Sequence, residues 1–273
     1  MKEDSLIFDN GFARLYQADA RRLPIKDESV DCVVTSPPYW GLRDYGLEEQ
    51  GIGLEPTPEA FCANMVEVFR EVWRVLKPTG TVWMNLGDSY SGGGGAHKPE
   101  HANPGLSKSA ERNGVPTSER VVMSGLKPKD LVGIPWRVAF ALQSDGWYLR
   151  SDIIWSKPNP MPESVTDRPT KAHEYIFLLT KSPKYYYDAD AIRKPGLDGT
   201  HNKRSVWEIA TQPYPEAHFA TFPEDLVEPC ILAGCPQNGT VLDPFAGSGT
   251  TLAVAQKFGR KSVGVDLNRD YLR

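Results

Sequence analysis

The sequence predicts an α/β protein with a mostly parallel, doubly wound sheet, and three observations carry that prediction. Residues 30–34, Val30-Asp31-Cys32-Val33-Val34, form a short β-branched run with the character of a buried strand. Residues 241–266 pass from a short apolar strand through a glycine turn and a helix around 252–255 to a second strand ending on Asp266. Strand, turn, helix and strand in succession is the unit from which parallel sheets are built. Elsewhere, strand-like runs at 12–17, 81–86 and 147–157 alternate with stretches of helical apolar spacing at 57–76 and 134–142. Residues 173–180 and 185–187 read as an antiparallel terminal hairpin.

Taken in order, Phe12 to Gln17 alternates as a strand does, and Asp19 after it is placed to cap the following turn. After Pro37-Pro38-Tyr39-Trp40, residues 41–46 form a glycine-bounded loop; Trp40 and Tyr45 either close over a substrate or pack on the surface, and Arg43 either meets a phosphate or packs there too. Thr57-Pro58 opens a helix with a capping residue followed by a proline at its first position. Phe61, Met65, Val68, Phe69, Val72, Val75 and Leu76 give that helix its buried face, and residues 77–80 close it. The strand at 81–86 leads into residues 91–129, which lose periodicity and are rich in Gly, Ser, Pro, Lys and Asn. A loop of that length is functional or disordered, and it is read as a flexible flap that engages a ligand. A helix restarts at Ile134-Pro135, and the strand from Trp147 ends at the break Lys157-Pro158. Residues 188–217 are polar and irregular, a helix follows at 224–234, and Asn268 to Leu272 begins what reads as a further helix.

Composition bounds the class. The 273 residues suffice for one sizeable core, and 40% hydrophobic with 24% charged residues is ordinary for a globular protein. No run has the length of a membrane span and the N-terminus lacks a signal-peptide pattern, so a cytoplasmic location is expected. Cys32, Cys62, Cys230 and Cys235 lack metal-ligand spacing and read as thiols, three of them buried. The net charge of −4 argues mildly against a nucleic-acid partner. Charge is unevenly spread, however: residues 91–150 hold eight Lys/Arg against five Asp/Glu, whereas residues 1–90 are acidic, so a basic face on an acidic body is compatible with the composition.

Two stretches carry chemistry. Proline has no N–H for a sheet ladder and forces the residue before it to extend, so the chain leaves the strand at 35–40 as a rigid polar-Pro-Pro-aromatic corner. The Ser36 hydroxyl, the Pro37 carbonyl and the Tyr39 ring can face one space, where two acceptors beside an aromatic plate suit a planar group bearing an NH2, such as a nucleobase. A loop with a packing tyrosine is the plainer reading. In the second stretch, Gly247 and Gly249 permit close approach of a ligand to the backbone, the absence of a Gly-Lys-Ser/Thr makes it a poor triphosphate loop, and Asp266 stands where an acid can accept hydrogen bonds from ribose hydroxyls.

Together, Ser36-Pro37-Pro38-Tyr39 and Asp243-Pro244-Phe245-Ala246-Gly247-Ser248-Gly249-Thr250-Thr251 resemble the two signatures of the β-type, permuted S-adenosylmethionine-dependent DNA amino-methyltransferases of the cytosine-N4/adenine-N6 family. The resemblance spans nearly the whole chain and shares the family's order, catalytic corner before cofactor loop. It implies a Rossmann-like methyltransferase fold with circularly permuted order and a single catalytic domain over 1–273. It implies that Ser36, Pro37, Pro38 and Tyr39 are catalytic, and that S-adenosylmethionine is bound by Asp19, Phe222, Asp243, Phe245, Ala246, Gly247, Ser248, Gly249, Thr250 and Asp266. Asp19 would meet the cofactor's adenine and Phe222 its adenine or methionine end; turn capping and helix-entry packing are their plainer roles. The substrate it implies is double-stranded DNA, contacted through Trp40, Arg43, Trp155 or Lys157, and through a target-recognition segment at 158–217 that includes Lys203 and Arg204; core packing is the plainer reading of Trp155. A segment so short fits a short target or a homodimer. Ser before Pro-Pro-Tyr points to cytosine N4, with adenine N6 as the alternative. An enzyme acting on RNA or protein glutamine and a non-catalytic DNA-binding module are the other classes. A cognate restriction endonuclease would suit such an enzyme, though no sequence feature shows one.

Overall fold

The β-branched and apolar runs do pair as strands, and the sheet they build sets the position of everything else. In the computed structural model, residues 5–41, 51–91, 125–196, 199–212 and 222–269 are described. The strands are β1 (Ser5–Asp9), β2 (Ala13–Gln17), β3 (Val30–Thr35), β4 (Leu76–Leu86), β5 (Tyr148–Ser156), β6 (His173–Thr180), β7 (Lys194–Gly196), β8 (Gly199–His201), β9 (Val206–Glu208), β10 (Thr240–Asp243) and β11 (Lys261–Asp266). The helices are α1 (Pro58–Val75), α2 (Ile134–Ser144), α3 (Glu224–Gly234) and α4 (Thr250–Lys257). Among the described residues, nine strands form one sheet in the order β1-β2-β11-β10-β3-β4-β6-β5-β9, while β7 and β8 form a separate two-stranded ribbon. The run β2-β11-β10-β3-β4 is parallel throughout.

A parallel sheet needs both faces covered. In β3, Val33 packs with α1 and α2 through Phe61, Met65, Phe69, Val138 and Leu142, whereas Cys32 and Val34 pack with α3 and α4 through Leu226, Val227, Ile231, Val254 and Ala255. The same alternation divides Met84 from Trp83 on β4 and Phe177 from Leu178 on β6. Cys32, Cys230 and Cys235 are buried thiols, and Cys62 is half-buried. Among the described residues no helix is long and apolar enough to cross a membrane, and no acid, histidine or cysteine group could hold a metal ion.

Three expectations change. Residues 77–80 do not close a helix: α1 stops at Val75, Leu76 is already extended (φ −76°, ψ 137°), and β4 begins there. Pro78 disfavours helical geometry at Lys77, and the buried Leu76 extends straight into the sheet. Residues 185–187 are not a hairpin strand. Both edges of β6 are occupied, by β4 and β5, so the antiparallel hairpin is β5–β6, joined by residues 157–172. The tyrosines instead run past the sheet end, where the Tyr186 N–H donates to the Thr79 carbonyl at 2.8 Å. Within 188–217, the segment is more ordered than its polarity implies: it holds a 3-10 turn (Asp190–Ile192), the β7–β8 ribbon, and β9, which adds a parallel edge strand to β5 with Trp207 buried opposite Trp155.

Most of the 91–129 segment lies outside the described residues. Its two ends are joined: the Ser91 N–H donates to the Asp130 carbonyl at 2.8 Å and the Lys129 N–H to the Ser91 carbonyl at 3.0 Å, with Tyr90 and Leu131 bridged.

Candidate active site

Because β2, β11, β10, β3 and β4 run the same way, their carboxyl ends meet along one sheet edge, the position where open α/β sheets bind ligands. That edge carries Asp19 beyond β2, Asp266 ending β11, Asp243 ending β10, Thr35 ending β3 with Ser36 just after it, and Asn85 near the end of β4. β6 is antiparallel to β4, so its beginning comes to the same edge and brings Glu174; β5 ends there with Trp155 opposite Glu174.

Four polar groups converge at the corner. The Tyr39 hydroxyl lies 2.7 Å from Glu174 Oε2 and 3.0 Å from Asn85 Oδ1, and the Ser36 hydroxyl lies 3.3 Å from the same Asn85 oxygen. Asn85 Nδ2 donates to Glu174 Oε2 and to the Tyr175 carbonyl, each at 3.1 Å. Those two acceptors orient the amide, so its oxygen faces the two hydroxyls. A Ser36 hydroxyl that donates to Asn85 keeps its lone pairs for a donor from outside. The other Glu174 oxygen takes the Lys157 ammonium, which also sits 4.2 Å from the centre of the Trp155 ring. The Glu174 and Lys157 side chains are 15% and 17% exposed. Behind the Tyr39 ring is Gly87: a Cβ there would stand 2.5 Å from Tyr39 Cε2. Close approach of ring to backbone is what requires the glycine.

Beside the corner lies the glycine loop. Gly247 (φ 49°) and Gly249 (φ 81°) take the left-handed conformation that opens α4, whose N-cap is Gly249. The Gly247 N–H donates to Asp266 Oδ2 at 2.9 Å and the Asn268 N–H to Asp266 Oδ1 at 2.8 Å. Each carboxylate oxygen therefore keeps a lone pair for a further donor, and burial holds its pKa above the ordinary range. Phe245 is half-buried, Ser248 is exposed, and Thr250 lies 3.4 Å from Ser248, oxygen to oxygen. Phe222 lines a pocket with Val34, Thr35, Asn85, Leu226 and Val227, which joins the helix entry to the Pro-Pro corner. Asp19 accepts from the Arg21 guanidinium at 2.7 Å and from the Arg21 backbone N–H at 2.8 Å; the neighbouring Ala18 N–H donates to the Asp266 carbonyl, so Asp19 flanks the same cleft. An acceptor pair, an open glycine backbone and two flanking phenylalanines fit a nucleoside carrying an amino-acid tail.

Several candidates take other roles. Asp243 does not line the cleft. It is 1% exposed; its oxygens accept from Thr35 Oγ1 at 2.7 Å, Thr251 Oγ1 at 2.8 Å and the Phe245 N–H at 3.0 Å. It binds the end of β3 to the glycine loop, and burial pushes its pKa up to about 6. Ala246 is buried as well, its N–H on the Val265 carbonyl. Trp40 is no lid: it is 6% exposed in the core, and its indole N–H donates to the Glu55 carbonyl at 2.9 Å. Trp155 is likewise core, 3% exposed with its indole N–H on the Ile209 carbonyl. Lys157 faces Glu174, and Lys203 lies 4.6 Å over the Trp207 ring. Arg204 is exposed. Pro37 is buried and Pro38 half-buried at the corner. Arg43 and Tyr45 lie outside the described residues. Asn85, Glu174, Thr35 and Thr251 were not singled out from the sequence. Asn85 had a legible signal, an amide in the otherwise apolar run 82–86; Glu174 had none, because its partners are remote in the chain.

The geometry agrees with what known proteins show. A family model described as DNA methylase matches residues 30–273. The chain is 54% identical over 266 residues to the type II methyltransferase M.Cfr9I of Citrobacter freundii, covering 95% of this chain and 85% of that one. It is 53% identical over 251 residues to M.SmaI of Serratia marcescens, covering 90% and 83%. Among solved structures, the PvuII DNA methyltransferase (cytosine-N4-specific) shares the fold at a TM-score of 0.69 and 20% identity, covering 96% of this chain and 84% of that one. A putative DNA modification methylase from Thermus thermophilus, complexed with S-adenosylmethionine, superposes at a TM-score of 0.59 with 25% identity, covering 93% and 89%. The converging corner, the glycine cleft beside it and these relatives place the chain in the N6/N4 family of S-adenosylmethionine-dependent DNA methylases.

Proposed function

We propose that the protein methylates the exocyclic N4 amine of cytosine in double-stranded DNA. The observation that carries this reading is the hydroxyl at the corner: Ser36 supplies a neutral acceptor where a carboxylate would stand for adenine N6 in the family resemblance, and Asn85 orients it. Bound S-adenosylmethionine would supply an activated methyl group: as the amine nitrogen takes it, the carbon–sulfur bond breaks to leave a neutral thioether, and the nitrogen gives up one of its protons to solvent. The chain's own work is to make the amine reactive, since its lone pair is delocalised into the base ring. Ser36 Oγ and the Pro37 carbonyl accept the two N–H bonds, which favours a pyramidal nitrogen with its lone pair free of the ring; such orientation is worth several powers of ten in rate. The base reaches the corner only by leaving the duplex, and stacking on Tyr39 offsets an unstacking cost of order a few kcal/mol. In this reading Asp266 would hold the ribose hydroxyls, Phe222 and Phe245 would flank the cofactor, and Gly247 to Thr250 would approach its tail. Asp19 would border the adenine.

Residues 158–217 form the target-recognition segment in this reading. Its first part, residues 158–172 of the β5–β6 connection, follows from the end of β5 at the edge that carries the corner, and Lys203 and Arg204 contribute cations toward phosphate or base edges. Residues 91–129 serve as the DNA-engaging flap. Likeness to proteins named type II methyltransferases supports a role in which the protein would protect host DNA in the cytoplasm against a partner endonuclease. The test is direct: methylate duplex DNA, digest it to nucleosides and weigh the product. N4-methylcytosine is expected, and its formation should fall by about a hundredfold or more in Ser36→Ala. N6-methyladenine as sole product would overturn the assignment of base.

A further inference from the structure

We propose that Glu174 is a positioning residue for methyl transfer, acting through Tyr39 and Asn85, and that Lys157 is its counter-ion rather than a DNA contact; this rests on the methyl-transfer reading above. Three donors converge on this one side chain: the Tyr39 hydroxyl and Asn85 Nδ2 on Oε2, at 2.7 and 3.1 Å, and the Lys157 ammonium on Oε1. A carboxylate accepts at both oxygens and so can take all three. The two neighbours it holds are the groups that define the corner. Tyr39 is gripped at its hydroxyl by Glu174 and backed along its ring by Gly87, so its plane has little freedom. Asn85 is gripped at its nitrogen by Glu174 and the Tyr175 carbonyl, which turns its oxygen toward Ser36. Glu174 thus sets both the stacking plate and the orientation of the acceptor hydroxyl, from a β-strand whose position is fixed on both sides. A site held within about half an ångström needs this kind of support behind the reacting groups.

Lys157 is committed elsewhere. Its ammonium is paired with Glu174, lies over the Trp155 ring, and is mostly shielded from solvent. A cation so engaged neutralises a carboxylate that would otherwise stand uncompensated beside the base pocket.

The experiment compares single-turnover methyl-transfer rates, KM for a duplex oligonucleotide, cofactor affinity and melting temperature in the wild type, Glu174→Gln, Tyr39→Phe and the double variant. Glutamine keeps the size but presents an N–H2 to one of the three donors. The expected result is a ten- to hundredfold slower transfer in Glu174→Gln, with KM and cofactor affinity within twofold. The Glu174→Gln/Tyr39→Phe enzyme should be much less impaired than the product of the single effects, because residues acting as one unit are not additive. If Glu174→Gln does not fold with Lys157 left facing a donor, Glu174→Gln/Lys157→Met removes both charges and carries the same rate test. Wild-type transfer rates in these variants, losses confined to KM or melting temperature, or multiplicative losses in the cycle would each overturn the proposal. Ser36→Ala in the same assay separates the two levels. If it is crippled while Glu174→Gln is not, only the role of Glu174 fails; if Ser36→Ala and Tyr39→Phe are both fully active, the methyl-transfer reading of the corner fails.

Discussion

Replacing Gly87 by alanine tests whether the placement of Tyr39 governs turnover. Gly87 is buried and is not among the glycines with positive φ, so its backbone accepts an alanine without strain. The obstacle is the ring: the added Cβ would stand 2.5 Å from Tyr39 Cε2, 3.0 Å from Cδ2 and 3.3 Å from Cζ. Carbon atoms pack comfortably at about 3.5–4.0 Å, so the ring must withdraw by roughly 1 Å. It cannot do so freely, because its hydroxyl is held at 2.7 Å by Glu174 and its backbone leaves a two-proline corner. Stretching that bond by roughly 1 Å takes it beyond hydrogen-bonding range. Misplacement of about 1 Å at a catalytic site costs on the order of a hundredfold in rate, while overpacking costs about 1–3 kcal/mol of stability. Transfer of labelled methyl to a duplex oligonucleotide, measured beside thermal melting and cofactor binding, reads these separately. Gly87→Ala is expected to fold, to bind cofactor normally and to methylate about a hundredfold more slowly. A folded variant that turns over at the wild-type rate would show that the ring's position behind the base is immaterial, and the account of the corner would fail.

Two more predictions concern residues that moved away from their expected roles. Asp243 is buried with its pKa raised from 3.8 to about 6, so between those values the folded protein holds a proton that the unfolded chain releases. Its contribution to stability is full below pH 3.8 and is lost as pH rises through 6, a loss of about 3 kcal/mol at roughly 1.4 kcal/mol per pH unit. The difference in urea-unfolding free energy between wild type and Asp243→Asn, which cannot titrate, should therefore change by that order between pH 4 and 7; a pH-independent difference would contradict it. For Trp40, whose ring is core and whose N–H is bonded to Glu55, Trp40→Phe should lose about 1–3 kcal/mol of stability and leave KM for duplex DNA within twofold. A large rise in that KM with unchanged melting would restore the substrate lid.

What could be read from the chain was everything that local chemistry dictates. The Pro-Pro break stops β3 because proline cannot continue a ladder, Thr57-Pro58 starts α1 with the Thr57 hydroxyl accepting the Ala60 N–H at 3.1 Å, and Gly247 and Gly249 open α4 because they can adopt positive φ. These features depend on neighbours a few residues away, so motif and spacing suffice, and together they made the methylase family recognisable. The same locality explains the errors. An aromatic such as Trp40 or Trp155 looks alike whether it faces a ligand or the core, and the polar composition of 188–217 hid a strand whose pairing surface, the free edge of β5, exists only once the sheet has formed.

The parts of the site that depend on folding are those made by residues far apart in sequence. Glu174 meets Tyr39 across 135 positions and Thr35 meets Asp243 across 208. Strand order brings them together, parallel on one side of β4 and antiparallel on the other, so that the carboxyl ends of the parallel strands and the start of β6 share one edge. No run of residues encodes that edge, because hydrogen bonding between strands is indifferent to chain distance and is decided by which apolar faces can be buried together.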